Sequence, residues 1–354
     1  MYSKRKIALL DCNNFYVSCE RLFRPDLKNK PVAVLSNNDG CIIARSNEVK
    51  KIGITWEYVH NVRQKLQQNN VTLFSSNYNL YGDISDRIMT IIKSHFKNIE
   101  IYSIDEAFFD CTELDESEVI DKLLALRKQI LKWTGVPVSI GVGPNKTIAK
   151  LMNHIAKKRQ KYNGVCYFEN LKNKERYVEI NIEKVWGVGK QTVLKLQKLN
   201  IKTIQQFLQL SESQVKYIFT ITGLRTYLEL KQQYILLLNK NVKNKKEIMT
   251  SRTFGKEVTS IDELQTALHH FLNKGCIKLK RQNLLVKKVV IFFETNPYKP
   301  YYVRYKQQQT LEFATNDNKI IWTQLQYLIH LIFNPKRNYK KAGILLYDLT
   351  TTVQ

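Results

Sequence analysis

The stretch Ile99-Glu-Ile-Tyr-Ser-Ile-Asp-Glu-Ala-Phe-Phe-Asp-Cys111 decides the fold, because two β-rich runs flank an acidic pair within it. Residues 99–103 and 107–111 predict the strands of a hairpin, and Asp105 and Glu106 then lie at its tip. Adjacent carboxylates repel each other and raise each other's pKa, so a fold that keeps them together usually supplies a cation. An Asp-Glu pair in a turn is more often solvated surface, and the spacing by itself leaves both interpretations open.

A third carboxylate ends the first apolar run of the chain. Residues 6–10, with the apolar run Ile-Ala-Leu-Leu at 7–10, predict a short strand that ends at Asp11. If this strand pairs beside the hairpin, Asp11 joins the acidic pair, and three hard oxygen donors suit Mg²⁺, which binds through few carboxylates plus substrate phosphates. Mn²⁺ accepts the same ligands. The arrangement is typical of two-metal phosphoryl transfer, in nucleases and phosphatases as well as in synthesis.

The composition points to a polyanionic partner. The 354 residues include 56 Lys and Arg against 31 Asp and Glu, a formal charge of +25, which favours nucleic acid. A hydrophobic fraction of 44% excludes a disordered basic tail. The six cysteines show no Cys-x-x-Cys pair and no zinc-ligand spacing, which indicates a reducing compartment. We therefore expect a cytoplasmic protein, nucleoid-associated when bound to DNA, with no export signal and no membrane span.

The first part of the chain predicts mixed α and β structure. Residues 13–23 and 76–96 carry apolar side chains at helical spacing. Residues 31–35 and 41–44 predict two strands joined by the turn at 37–40.

The later part of the chain predicts a basic surface and a separate module. Between residues 122 and 168 there are ten Lys and Arg and no Asp or Glu, which suits a phosphate-facing surface. A polar, basic stretch at 238–247 predicts a linker. Beyond it the pattern predicts elements in the order β-α-β-β-α-β, the split βαβ arrangement.

Five motifs, in this order, resemble those of the Y-family DNA polymerases, in particular of the UmuC type. They are Asp11-Cys-Asn-Asn-Phe-Tyr-Val-Ser-Cys-Glu20, Leu35-Ser-Asn-Asn-Asp-Gly-Cys-Ile-Ile-Ala-Arg45, Phe74-Ser-Ser-Asn-Tyr78, Tyr102-Ser-Ile-Asp-Glu-Ala-Phe108 and Val185-Trp-Gly-Val-Gly189. The resemblance implies an α+β multidomain fold, a right-hand polymerase with a palm, small fingers, a helical thumb and a β-α-β-β-α-β little finger domain.

The resemblance also implies where these domains begin and end. We expect the palm at 1–35 and 76–169, with the fingers at 36–75 between its two parts. The thumb, containing a helix-hairpin-helix, is expected at 170–237. The linker is then 238–246, and the little finger domain is 247–354.

The resemblance further implies the residues of an active site that holds two Mg²⁺ ions, with Mn²⁺ as a possible substitute. The metal ligands are matched by Asp11, Asp105, Glu106 and the backbone carbonyl of Cys12. Tyr16 matches the steric gate, whose ring occupies the space that a ribose 2′-OH would need. Phe15 lies in the same sugar-contacting element. Cys41, Ile43 and Ala44 match positions over the nascent base pair.

Two sets of phosphate contacts are implied in the same way. The triphosphate-binding positions are matched by Asn47, Lys50 and Lys157, where Lys50 replaces an Arg of other branches and lacks its bidentate fork. The DNA-binding candidates are Lys146, Lys150, Gly187, Gly189, Lys190, Arg252, Lys287, Lys288, Arg304 and Lys306. Those in the C-terminal module are assigned from strand position alone.

The implied activity is translesion synthesis by a DNA-directed DNA polymerase, which adds dNTPs to a primer 3′-OH with low fidelity in an SOS-type response. The implied partners are primer-template DNA, dNTPs, a dimer of processed UmuD, and RecA. Two alternatives stay open: a catalytically idle DNA-binding protein and a two-metal nuclease.

Two features depart from the family pattern. Residues 54–60 lack the Gly-x-Pro turn with which the fingers usually continue. No sliding-clamp motif is visible before Gln354, so we expect weak or absent direct binding to the clamp.

Overall fold

The computed structural model describes residues 5–170, 174–239 and 245–351. The chain divides into two compact units, Met1–Asn241 and Val242–Gln354. The predicted linker at 238–246 spans this division, and its residues 240–244 lie outside the described residues, as do residues 171–173 near the predicted start of the thumb. Within the described ranges, no helix has the length and apolar character needed to cross a membrane.

The elements of the first unit alternate between strands and helices. Its strands are β1 (Ile7–Cys12), β2 (Val32–Leu35), β3 (Ile42–Arg45), β4 (Thr72–Ser75), β5 (Ile99–Ile101), β6 (Glu106–Asp110), β7 (Val138–Gly143) and β8 (Val165–Tyr167). Its α-helices are α1 (Phe15–Leu22), α2 (Asn47–Lys51), α3 (Val59–Gln68), α4 (Tyr78–His95), α5 (Val119–Thr134), α6 (Lys146–Lys158), α7 (Lys190–Lys198), α8 (Ile204–Leu208) and α9 (Glu212–Leu230). The helices predicted at 13–23 and 76–96 are confirmed, with shorter ends.

The central sheet of the first unit has the strand order β5-β6-β1-β7-β8. β1 lies between β6 and β7 and is antiparallel to both. Its side chains are buried on both faces, since Ala8 and Leu10 share a core with α4 and α5, and Ile7 and Leu9 pack with Ala149 of α6. This two-sided burial explains why the run is apolar throughout instead of alternating.

Helix α6 packs unusually close to β7. A Cβ built on Gly141 would lie 2.0 Å from the backbone nitrogen of Asn153 and 2.3 Å from the carbonyl oxygen of Ala149. Asn153 itself is buried, and its Nδ2 donates to the carbonyl of Ser139 at 2.7 Å. The absence of a side chain at residue 141 therefore sets the height of the whole helix above the sheet.

A smaller sheet in residues 32–75 has the order β3-β2-β4 and its own core. β2 and β3 are antiparallel, as the turn at 37–40 predicts, whereas β4 is parallel to β2. Helices α2 and α3 supply Val49, Val62 and Leu66 to this core.

The segment from residue 174 to residue 230 is helical. Gly189 is the N-cap of α7, and Gly187 before it has φ of 86°, a left-handed conformation that favours glycine. Capping boxes begin the next two helices, with Thr203 at α8 and Ser211 at α9. The buried residues of this segment form a core together with those of α6.

The second unit confirms the predicted β-α-β-β-α-β order. Its elements are β9 (Glu247–Val258), α10 (Ile261–Arg281), β10 (Leu284–Glu294), β11 (Arg304–Thr315), α11 (Asn318–Ile332) and β12 (Tyr339–Thr351). The strand order is β11-β10-β12-β9, and all neighbours are antiparallel. Leu268 and Leu325 of the two helices share one core with Ile291, Phe293 and Ile344 of the sheet, so the helices cover a single face.

Candidate active site

The acidic residues meet at one edge of the central sheet. Asp11 pairs with Glu106 in the β1–β6 register, and the backbone N–H of Cys12 donates to the carbonyl of Asp105 at 2.9 Å. The predicted hairpin forms, but it closes on Glu106, whose carbonyl accepts from Tyr102 N–H at 3.0 Å. The prediction that both acids lie at the tip is therefore wrong for Glu106, which is the first residue of β6.

Each of the three carboxylates has its own hydrogen-bonding partner. Lys157 of α6 forms an ion pair with Asp11, and Lys150, two turns earlier on that helix, lies 2.9 Å from Glu106 Oε1. Asp105 accepts a hydrogen bond from Ser103 Oγ at 2.6 Å. The lysines thus place positive charge against two acids that the sheet holds side by side.

The carboxyl group of Asp11 has a strongly perturbed pKa. Its pKa is raised to about 7, because burial and, to a lesser degree, the nearby carboxylates of Glu106 and Asp105 raise it by more than Lys157 lowers it. The ionised form is disfavoured in a poorly solvated site that already holds negative charge. A cation is therefore the partner that best relieves the strain on an ionised Asp11.

The donor set suits a hard divalent cation. It consists of carboxylate oxygens, and ammonium groups already lie against two of them, which shows that the edge attracts cations. In the part of the chain that the structure describes, no three His, Cys, Asp or Glu side chains are grouped as metal ligands. A metal bound here would therefore require Lys157 and Lys150 to release their partners.

A cavity of about 660 Å³ opens beside this edge and is lined by Asp11 and Asp105. Tyr16 lies in its wall with its ring stacked on Tyr81, the centroids 4.4 Å apart, and Tyr78 meets it edge-on. Phe15 also borders the cavity, but it is only 4% exposed and belongs to the core. The two rings lie 5.8 Å apart between centroids, and the roles of Tyr16 as steric gate and of Phe15 as sugar contact stay predictions.

The predicted triphosphate residues line the same cavity. Lys50 donates to Asn14 Oδ1, and Asn14 Nδ2 donates to Asn47 Oδ1 at 3.1 Å, so the three side chains form a chain of contacts. Asn14 adopts a left-handed φ of 48°, which turns β1 into α1. Burial lowers the pKa of Lys50, and the positive charges of Arg45 and Lys157 lower it further. An anion in this cavity would relieve that crowding of positive charge.

Several residues of this cavity were not predicted from the sequence. They are Asn13, Asn14, Arg45, Trp56, His154 and Lys158. Lys158 and His154 follow from the helical spacing of α6 once Lys157 is placed, whereas Trp56 belongs to the segment that departs from the family pattern.

Lys146 does not occupy the position that its predicted role requires. The residue is 3% exposed, its Nζ donates to Glu100 of β5, and it lies 5.3 Å from the ring centroid of Phe108. The predicted DNA contact of Lys146 is therefore wrong, because a buried ammonium that is already paired cannot face a phosphate outside. Lys150 is more accessible, but it contacts Glu106 and the ring of Tyr102.

The helical segment is joined to the hairpin by an aromatic contact. Trp186 donates from Nε1 to the hydroxyl of Tyr102 at 3.1 Å and meets that ring at a right angle. Gly187 and Gly189 follow directly, and Lys190 begins α7 as an exposed residue. The sequence singles out the glycines of this motif, but the residue that attaches it is the tryptophan.

The second unit presents basic residues on the sheet face opposite its helices. Register places Lys306 beside Phe292, and Arg304 beside Glu294, on strands whose alternate residues are core. The Arg304 guanidinium covers the Phe292 ring at 4.4 Å. Lys288 lies on the same face of the sheet as Phe292, since the two residues are four positions apart on β10. It forms an ion pair with Asp348 at 3.2 Å.

Two predicted contacts of this unit lie elsewhere. Arg252 pairs with Ala342, which pairs with the core residue Phe293, so Arg252 is on the helix-bearing side at the edge strand. Arg252 is therefore not part of the open face, and its phosphate contact stays a prediction. Lys287 stands at a β-bulge and donates to the carbonyl of Glu312 at 2.8 Å.

Comparison with known families covers both units. Residues 10–154 match the impB/mucB/samB family, and residues 245–354 match the C-terminal domain of that family. Protein UmuC of Salmonella typhimurium is 37% identical over 348 residues, which are 96% of this chain and 82% of that protein. DNA polymerase IV of Ureaplasma parvum serovar 3 is 26% identical and covers 97% of this chain and 94% of its own length.

Solved structures share the fold over nearly the whole chain. The Y-family DNA polymerase chimera Dbh-Dpo4(243-245)-Dbh aligns with a TM-score of 0.76 at 20% identity, covering 98% of this chain and 100% of the chimera. DinB from Sulfolobus solfataricus aligns with a TM-score of 0.59 at 19% identity and the same coverage. The predicted α+β polymerase fold is confirmed. The chain therefore belongs to the impB/mucB/samB family and is a Y-family DNA polymerase of the UmuC type.

Proposed function

We propose that this translesion polymerase adds dNTPs to a primer 3′-OH at the sheet edge formed by Asp11, Asp105 and Glu106. The observation that supports this most directly is the pairing of Asp11 with Glu106 across β1 and β6, beside a cavity that Asp11 and Asp105 line together with Lys50 and Lys157. Carboxylates and lysines that line one cavity match the two needs of nucleotidyl transfer, which are binding of a divalent cation and binding of the triphosphate.

The three carboxylates and the carbonyl of Cys12 are the groups that would hold two Mg²⁺ ions, with Mn²⁺ as a substitute. When bound, these ions lower the pKa of the primer hydroxyl and neutralise the leaving pyrophosphate. Burial of Asp11 keeps water away and strengthens its attraction for a cation.

The other cavity residues position the nucleotide. Lys157 reaches Asp11 and also lines the cavity, so the same ammonium can move from the carboxylate to a phosphate oxygen. Lys50 and Asn47, held together by Asn14, would bind the outer phosphates. The Tyr16 ring, fixed by its stack on Tyr81, would exclude a ribose 2′-OH.

Primer-template DNA is the proposed macromolecular substrate, and damaged template bases are the lesions to be passed. A dimer of processed UmuD and RecA are proposed protein partners, on the basis of the UmuC-type sequence. The cytoplasm, with the nucleoid as the place of action, is the proposed location.

Primer extension tests this proposal. Residues 1–354 with Mg²⁺, dNTPs and a labelled primer on an undamaged or abasic template should give elongated products. Asp105→Asn should lower the elongation rate by a factor of about 10³ or more. The neutral amide would hold a divalent cation less well, and the negative charge that develops in the transition state would then lack the cation that stabilises it. Asp110→Asn is the matched control, because Asp110 lies at the far end of β6 and its cap to Thr112 N–H survives in Asn.

The same gel separates the alternative functions. Shortened primers would indicate a nuclease, and unchanged primers would indicate an idle DNA-binding protein. Elongation by Asp105→Asn at the wild-type rate would contradict the proposed site.

A further inference from the structure

Trp56 is the most exposed large aromatic residue of the catalytic cavity. It is 66% exposed and lies in the cavity wall together with Ile43, Ala44 and Arg45. Its indole does not belong to the core of its own sheet, which is formed by residues such as Val49 and Ile54. An exposed indole at a ligand cavity has an apolar face available to a planar partner.

The backbone around Trp56 is fixed on both sides. Before it, Arg45 Nη1 donates to the carbonyl of Ile54 at 2.6 Å. After it, the carbonyl of Glu57 accepts from Ile42 N–H at 3.0 Å, and the Glu57 carboxylate accepts from Thr55 Oγ1 at 2.6 Å. The segment that lacks the family turn is thus tied to β3 at two points.

The indole is also held from one side. The Arg45 guanidinium lies over the Trp56 ring, 4.6 Å from its centroid. Cation–π stacking of this kind orients a ring and limits its rotation. Arg45 therefore positions Trp56 in the wall, and the exposed part of the ring remains available.

The chemistry of the cavity identifies what such a ring would meet. Lys50 and Lys157 are suited to phosphates, and Tyr16 to a sugar, so these residues account for two of the three parts of a nucleoside triphosphate. The remaining wall, Ile43 to Arg45 with Trp56, is mostly apolar and suits a flat heterocycle. We infer that Trp56 is a stacking platform for the base of the incoming nucleotide and that Arg45 is its positioning residue.

This inference rests on the proposed polymerase function and adds to it a preference for purine over pyrimidine nucleotides. Stacking on an aromatic ring is tolerant of sequence but stronger for larger bases, because it scales with overlapped π-surface. The platform should therefore bind dATP and dGTP more strongly than dCTP and dTTP, on both undamaged and abasic templates.

The test measures the apparent Kd and the maximal rate of single-nucleotide insertion for dATP and dTTP, using the full chain and a primer-template with Mg²⁺. Trp56→Ala should weaken dATP binding about tenfold and dTTP binding by less, with the maximal rate nearly unchanged. Trp56→Phe should restore most of the dATP affinity. Arg45→Lys should reduce the purine preference, because Lys keeps the charge but lacks the planar group.

Trp133→Phe is the matched control, since Trp133 of α5 is 63% exposed and does not line the cavity. If Trp56→Ala binds both nucleotides with the wild-type Kd values, the inference that Trp56 stacks on the base is wrong. An equal loss of affinity for all nucleotides accompanied by a lower melting temperature would also contradict it and would indicate a structural role. If the wild type itself fails to insert any nucleotide, the proposed function fails, and that outcome is distinct from the first two.

Discussion

At the scale of single residues, the site is governed by how its charges compensate one another. Asp11 is 16% exposed in its side chain, and its neighbours on the sheet are acids, so its ionised form depends on the ammonium of Lys157. Ionisation of Asp11 is unfavourable because the carboxyl is poorly solvated and lies beside other acids. Such a perturbed carboxyl is typical of functional sites rather than of stabilising ion pairs.

This arrangement predicts a pH-dependent stability. The pKa of Asp11 is about 7 in the folded chain against 3.8 for an unperturbed carboxyl, so the folded state binds the proton more tightly. The stabilisation of the folded state by the protonated Asp11 carboxyl is fully present below pH 4 and is lost as the pH rises through 7. This loss lowers the free energy of unfolding by up to about 4 kcal/mol. Asparagine does not ionise, so Asp11→Asn avoids this destabilisation. Urea unfolding in EDTA should therefore show the free energy of unfolding of the variant rising relative to that of the wild type between pH 4 and pH 8. A difference that is constant across this range would contradict the assigned pKa.

The sequence predicted the acids of this site better than it predicted the lysines. Asp11, Asp105 and Glu106 stand out in the sequence because each lies at the end of an apolar, β-rich run, and strand pairing then brings them together. The Lys146–Glu100 pair joins residues 46 positions apart on different elements, and nothing in the local pattern shows that this lysine is buried. Trp56 was missed for a related reason, since its exposure is a property of the folded loop.

At the scale of elements, the contact between α6 and β7 determines where the lysines lie. One helix carries Lys146, Lys150 and Lys157 at intervals of about one and two turns, and all three face acids of the sheet. The distance between α6 and the sheet therefore determines how far these lysines lie from the acids of the site.

Gly141→Ala should damage both stability and activity. The added methyl group would overlap the backbone of α6 at Asn153 and Ala149, and backbone cannot move aside cheaply, so we expect a loss of about 3 kcal/mol or more. Gly82→Ala in α4 is the control, because no atom lies within 4 Å of its new Cβ, and it should stabilise the chain by about 0.5–1 kcal/mol. Equal melting temperatures for the two variants would refute the close packing.

The helix α4 and the strand β1 were predicted from the periodicity of their apolar residues, whereas the junctions between elements were not predicted. The apolar face of α4 and the apolar run of β1 are local patterns that are kept when burial follows folding. The junction of α6 with α9 depends on Glu229, a fully buried acid whose carboxylate accepts from Thr147 N–H at 3.0 Å and from Thr147 Oγ1 at 2.6 Å. A glutamate in an otherwise ordinary helix gives no sequence signal for such a role.

At the scale of the whole molecule, positive charge is distributed over both units. Residues 241–354 carry 19 Lys and Arg against 8 Asp and Glu. In the second unit, Lys306 and Arg304 lie on the face that the helices leave open. Such a face suits contacts with phosphates that hold a duplex without reading its bases.

Lys306→Glu should weaken binding of primer-template DNA about tenfold at low salt and reduce the slope of log K against log salt by about 1 or more. Lys319→Glu makes the same charge change at the start of α11, on the helix-bearing side, and should have a smaller effect. Fluorescence anisotropy at several salt concentrations gives both quantities. Identical slopes for the two variants would show that only total charge matters.

The buried Glu229 has a mechanical consequence. Its helix belongs to the helical segment 174–230, which contains the turn at 187–189, and its carboxylate accepts hydrogen bonds from Thr147 in the first turn of α6. Asn145 Nδ2 also donates to the Glu229 carbonyl at 2.7 Å, and α6 shares a core with this segment, so a displacement of the segment would alter the position of the lysines beside Asp11 and Glu106.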